Sequence, residues 1–160
     1  MLSVSSSGLV TLRPVTEADL PLFLADQLDP ESARMAAFES REEPAFTAHW
    51  LKLLADDAVV ARTIELDGET VGHVESFPYG SGREVGYWIM KAHWGRGITS
   101  QALAQFLASH ELRRPLTALV ARHNRGSQRV LEKCGFVQTG DETLTLPDGS
   151  AVEMLAFELT

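Results

Sequence analysis

The chain has 160 residues, one cysteine and a formal net charge of −8. That length suits one domain over residues 1–160 with a substantial core, and the lone Cys134 excludes an internal disulfide and fits a reducing, cytoplasmic setting. No stretch approaches the roughly 20 apolar residues of a membrane span, the serine-rich start Met1 to Gly8 has no signal-peptide pattern, and the acidic balance argues against nucleic acid as a partner.

Val10 to Val15 reads as a strand ending at Pro14. Thr16-Glu17-Ala18-Asp19 then starts a helix, with Thr16 as cap and acids in the first turn. Leu20, Phe23, Leu24 and Leu28 continue it at helical spacing. A second helix is predicted over Glu31 to Phe38. A third opens at Pro44 and carries a core stripe of Phe46, Trp50, Leu51 and Leu54. Val59 to Leu66 and Thr70 to Phe77 are β-rich runs joined at Asp67-Gly68, a strong hairpin signal. Pro78 to Gly82 is a turn and Val85 to Met90 a returning strand. From Gly97 onward Ile98, Ala102, Leu103, Phe106 and His110 fall on one helical face. The apolar run Leu116 to Ala121 fits a central strand covered on both faces. Asn124 and Gly135 cap a short helix, and Phe136 to Thr139 and Ala151 to Leu159 close the chain as strands. This order predicts an α/β fold: a mixed, mostly antiparallel sheet with helices on both faces.

Two segments carry chemistry. Trp94-Gly95-Arg96-Gly97-Ile98-Thr99-Ser100 is a glycine-broken turn that opens onto a helix. Such a turn converges backbone N–H groups on one spot and leaves room for a phosphate. Two glycines alone are equally at home in an ordinary strand-to-helix turn. The helix of Asn124 to Cys134 places Ser127, Val130, Leu131 and Cys134 on one face, and a capped helix needs no ligand. The combination, preceded by Val85-Gly86-Tyr87-Trp88-Ile89, is more specific than either part. The chain lacks the glycine-lysine phosphate loop of nucleotide hydrolases and the full glycine fingerprint of dinucleotide-binding folds. Its five histidines show no metal-ligand spacing, so no metal is expected, and Cys134 reads as a small core residue.

With Gly86-Tyr87-Trp88, then Trp94-Gly95-Arg96-Gly97-Ile98, then Asn124-x-x-Ser127 and Gly135-Phe136, the chain resembles the GNAT N-acetyltransferase superfamily. It looks most like the branch that includes the ribosomal-protein N-terminal acetyltransferases. The resemblance implies acetyl-CoA as donor and a primary amine as acceptor, either a protein N-terminus or a small amine. It implies that backbone at Ile89, Met90 and Lys91 pairs with the pantetheine arm. The amides of Gly95, Arg96, Gly97, Ile98, Thr99 and Ser100 would hold the pyrophosphate, and Asn124 would contact the cofactor arm. Many members carry a tyrosine that protonates the leaving thiolate, and Leu131 stands at that position here. In the branch resembled, the serine at the Ser127 position is assigned that task. The alternative function is a sensor that binds acyl-CoA without turning it over.

Charge is unevenly distributed. Residues 83–133 hold nine Lys or Arg against three acids, a net of +6; the remainder holds five against nineteen, a net of −14. Arg96, Arg125, Arg129 and Lys133 are therefore candidates for an anionic cofactor, and the acidic N-terminal helices for an acidic wall that attracts a cationic acceptor. A symmetric turn at Pro78 to Gly82 would set Glu75 opposite Glu84. Two facing carboxylates raise one pKa, which makes Glu84 the candidate general base.

Overall fold

The computed structural model describes residues 8–36 and 42–160. Its strands are β1 (Val10–Pro14), β2 (Val60–Leu66), β3 (Glu69–Tyr79), β4 (Gly82–Ile89), β5 (Leu116–Ala121), β6 (Val137–Thr145) and β7 (Ala151–Leu159). They form one sheet in the order β1-β2-β3-β4-β5-β7-β6. All neighbours are antiparallel except β4 and β5, which are parallel. The helices are α1 (Leu20–Gln27), α2 (Pro30–Met35), α3 (Glu43–Ala55), α4 (Ile98–Ser109) and α5 (Arg125–Lys133). This is the expected mixed, mostly antiparallel α/β sheet. Phe38, where the sequence reading ends the second helix, lies outside the described residues, as do Met1 to Ser7.

Apolar clusters lie on both faces of the sheet, each closed by helices. One core joins Val74, Val85, Ile89, Ala118 and Phe157 of the sheet to Ile98, Leu103 and Phe106 of α4 and Leu131 of α5. A second holds Phe23 of α1 with Phe46 and Trp50 of α3. His73 points into that second layer, with ring centroids 4.6 Å from Phe23 and 4.9 Å from Trp50. Side chains alternate along a strand. Val85, Tyr87 and Ile89 therefore face α4 and α5, and Glu84, Gly86 and Trp88 face α1 and α3.

The β3–β4 register differs from the sequence reading. Glu84 stands opposite Phe77, and Glu75 opposite Gly86. The loop is only Gly80-Ser81, with Gly80 at φ +57°. Pro78, Tyr79 and Gly82 thus remain in the strands, and the paired positions shift by two. The two carboxylates do not face each other.

β4 and β5 pair at one position, Glu84↔Thr117, whereas β3 pairs along the whole of β4. Met90 N–H donates to the Val71 carbonyl at 2.9 Å. Antiparallel bonding alternates along the strand, so the even-numbered residues of β4 bond to β3. Tyr87 and Ile89 direct their N–H and C=O groups the other way, into the gap between β4 and β5.

The root of this gap is held by a buried ionic cluster. Glu111, 1% exposed, accepts from Ser76 Oγ at 2.5 Å, Arg83 Nε at 3.1 Å and Arg113 Nε at 3.0 Å. Thr117 Oγ1 donates to the Arg83 carbonyl at 3.2 Å. At the far edge of the sheet every residue of β6 is exposed, and its ladder to β7 is offset between Gln138 and Gly140.

Burial pushes the Glu111 carboxyl upward, but hydrogen bonds from Arg113 and Ser76 outweigh it and hold it at about 2, against an ordinary 4.5. A carboxyl lowered by folding stabilises fully above its unfolded pKa, and that stabilisation disappears as pH falls from 4.5 towards 2. Glu111→Gln leaves two guanidinium groups without their carboxylate. It should reduce stability at pH 7 by about 3 kcal/mol, read by urea unfolding, and should flatten the acid limb of stability against pH.

Candidate active site

A cleft of about 580 Å³ lies beside the end of β4. Its walls are Tyr87 to Ile89, the turn from His93 to Gly97, the first turn of α4, one face of α5 from Arg125 to Lys133 with His123 and Asn124 before it, and Ser32, Met35 and Ala36 of α2 and its end. Four cations line it (Arg96, Arg125, Arg129 and Lys133), and among the described lining residues there is no carboxylate.

Local geometry explains the turn. β4 ends at Ile89, a 3-10 turn covers Lys91–His93, and Trp94 Nε1 donates back to the Ile89 carbonyl at 2.8 Å. Gly95 and Gly97 lie at φ +76° and +75°, a region that disfavours L side chains. A Cβ at either glycine would meet nothing within 4 Å. Gly97 is the N-cap of α4, and no side chain caps that helix. The first N–H groups of α4 are therefore left for solvent or ligand. Helix α5 differs, because Asn124 Oδ1 accepts from Ser127 N–H at 3.1 Å.

Ile89, Gly95, Arg96, Gly97, Ile98, Thr99, Ser100, Asn124, Ser127 and Arg129 all line this one cleft. Met90 and Lys91 do not. Their N–H groups already donate, Met90 to Val71 and Lys91 to Asp26 Oδ1 at 2.9 Å. Only Ile89 of that trio offers backbone to the gap. The acids of α1 and α2, and Asp29 between them, have partners within the chain. Asp26 accepts from Trp88 Nε1 at 2.6 Å, and Lys91 Nζ lies 2.9 Å from Glu31 and 3.5 Å from Asp29.

Glu84 lies outside the cleft lining, at the root of the gap on the α1/α3 face. Burial, with a smaller contribution from the Glu142 carboxylate, pushes it up to about 7. The raised value expected from the sequence is present, but its cause is burial and not Glu75. Glu75 instead lies 2.7 Å from His73 Nδ1.

Tyr87 and His123 line the cleft without having been given a site role from the sequence. Tyr87 Oη is 2.7 Å from Ser127 Oγ. The period of two from Val85 and Ile89 places Tyr87 on the α5 face, and that was the one available signal. His123 Nε2 lies 2.8 Å from the Arg34 carbonyl, tying the β5 end to α2 across the cleft. Nothing in the local sequence marks this contact.

The family description "Acetyltransferase (GNAT) domain" matches residues 10–137. The chain belongs to this family. It is similar to "Probable N-acetyltransferase YjcK" of Bacillus subtilis (strain 168), 44% identical over 59 residues. That match covers 35% of this chain and 33% of the relative, about a third of the relative's length. The fold is that of spermidine N-acetyltransferase from Vibrio cholerae, solved with CoA and spermine, at TM-score 0.81 and 19% identity, covering 94% of both chains. Mycobacterium smegmatis RimJ, solved with CoA-disulfide, aligns at TM-score 0.75 and 24% identity over 97% of this chain and 83% of that one.

A carboxyl raised by folding works against stability as pH climbs from 4.5 through 7, because the folded state retains a proton that the unfolded state has released. Glu84→Gln should therefore be more stable than the wild type above pH 7 and close to it at pH 4. Glu142→Gln should bring the Glu84 pKa down only part of the way, since burial is the larger cause. Carboxyl NMR titration of the wild type and the Glu142→Gln variant checks this; a Glu84 pKa near 4.5 in the wild type would refute the burial argument.

Proposed function

We propose that the protein moves the acetyl group of acetyl-CoA to a primary amine by direct attack. The observation that carries this reading is the cleft itself. Four cations and an uncapped helix N-terminus surround two left-handed glycines with open space above them, beside an unpaired strand edge. CoA carries a pyrophosphate and a 3′-phosphate on a chain with amide groups. Amides of the Gly95–Ser100 turn suit the pyrophosphate, and Arg96, Arg125, Arg129 and Lys133 suit the remaining negative charge. The gap-facing edge of β4 suits an extended amide chain, which would add to it as a strand would.

When bound, acetyl-CoA supplies the activated acyl group, and this chain's residues govern the rest. Ile89 N–H is the donor left for an oxygen that gains charge during transfer. Glu84, raised to about 7, is the base that takes the ammonium proton through water near neutral pH. Ser127, on α5 in the cleft wall, would offer its hydroxyl to the departing sulfur. The acceptor is a protein N-terminus, as in the ribosomal-protein acetyltransferase branch, or a small amine. The latter is supported by the fold shared with the spermine-bound Vibrio enzyme and with an aminoglycoside acetyltransferase solved with coenzyme A, at TM-score 0.67 and 24% identity over 91% of this chain and 93% of that one. A thiol-release screen with acetyl-CoA against N-terminal peptides, polyamines and aminoglycosides tests both activity and acceptor class.

Gly97→Val should abolish acetyl-CoA binding in calorimetry. Its side chain would fill the open space above the turn, and β-branched residues resist φ +75°. The strain is local, so circular dichroism should show a folded chain; unchanged affinity would sink the cofactor assignment. Wild-type kcat should rise with pH through about 7. Glu84→Gln should lose that limb, and retention of the wild-type profile would remove Glu84 as base. The KM for acetyl-CoA should rise with salt, because exposed charges are screened over about 8 Å at physiological ionic strength.

A further inference from the structure

Tyr87 rises from β4 on the side facing α5, with its hydroxyl 2.7 Å from Ser127 Oγ and 3.3 Å from the Ser127 carbonyl. Both residues line the cleft. The Ser127 backbone is fixed independently by Asn124. At this geometry either hydroxyl can be the donor. If Tyr87 donates to the Ser127 carbonyl, the serine hydrogen points back at Tyr87 and the cleft sees no donor. If Tyr87 donates to Ser127 Oγ, over the shorter distance, the serine hydrogen is released towards the cleft.

We infer that Tyr87 is a positioning residue: its hydroxyl donates to Ser127 Oγ and turns the serine hydrogen onto the departing sulfur of the acyl donor, so that the pair stabilises charge on sulfur without surrendering a proton. This rests on the acetyl-transfer reading above. Acidity excludes net proton transfer. A thiol ionises near about 8.5 and a free tyrosine near about 10, and burial pushes Tyr87 higher still. A serine hydroxyl is a weaker acid than either. Moving a proton from Tyr87 or Ser127 to a thiolate would run uphill, whereas donating a hydrogen bond to it does not. The balance closes without them: the C–N bond forms, the C–S bond breaks with its electron pair on sulfur, and the proton lost is the amine's. Two hydroxyls in series donate more strongly than one, because each polarises the next.

The test uses CoA itself and needs no acceptor. The thiol of CoA bound to the full chain is titrated by its ultraviolet thiolate absorbance, in the wild type, Tyr87→Phe, Ser127→Ala and the double variant. The wild type should lower the bound thiol pKa below that of free CoA titrated in the same buffer. Each single variant should raise it by about one unit, as expected for losing a hydrogen bond to a charged group. The double variant should go no further, since the two side chains act as one. With an accepted amine, Tyr87→Phe should lower kcat roughly tenfold at unchanged KM for acetyl-CoA. Three results would overturn the inference: the same thiol pKa in wild type and Tyr87→Phe, the same thiol pKa in wild type and Ser127→Ala, or additive shifts in the double variant. Failure of the wild type to bind CoA would instead overturn the acetyl-transfer reading, and this inference with it.

Discussion

The parting of β4 from β5 is the constraint on which the rest of the molecule depends. A sheet interior normally satisfies every backbone N–H and C=O. Here two parallel strands meet at Glu84↔Thr117 and then diverge, which leaves a polar strand edge inside a closed architecture. The ion cluster around Glu111 clamps the root, where Ser76, Arg83 and Arg113 converge on one carboxylate. Trp94 covers one of the gap-facing carbonyls, that of Ile89. The groups that remain define where an extended, amide-bearing ligand belongs.

This gap also separates two electrostatic environments. On the cleft side, cations and helix N–H groups gather without an acid among the described lining residues. On the α1/α3 side, Glu84 lies opposite Phe77, and burial raises its pKa. An anion and a protonated amine would therefore approach a common point from opposite faces of the sheet. The acids near α1 and α2 lie on this side too, with Asp26 held by Trp88 and the Lys91 backbone, and Asp29 and Glu31 sharing the Lys91 ammonium.

The sequence revealed those features whose causes are local. Asp67-Gly68 marks a hairpin because few residues tolerate the positive φ values of 52° and 85° found there. Asn124 and Gly135 mark the ends of α5 by capping chemistry that works within a few residues. The candidate loop was visible for the same reason. The β3–β4 register was not, since Pro78 to Gly82 is compatible with loops of more than one length, and a shift of two residues preserves which face each side chain takes. β6 runs longer than its sequence suggests because an exposed edge strand shows no apolar alternation. The Tyr87–Ser127 contact joins residues forty apart, and only the splayed sheet brings them together.

The edge position of β6 has a consequence for behaviour in concentrated solution. Nine exposed residues in extended conformation are a template onto which another chain can add, the usual route to fibrous aggregates. The offset at Gln138 and Gly140 breaks the regular spacing that such addition requires. Asp141 and Glu142 place like charges against any second copy aligned there. Arg122 braces this hairpin through Asp141 and Glu153, at 3.4 and 2.8 Å. β6 thus has built-in obstacles to growth of the sheet beyond its seventh strand.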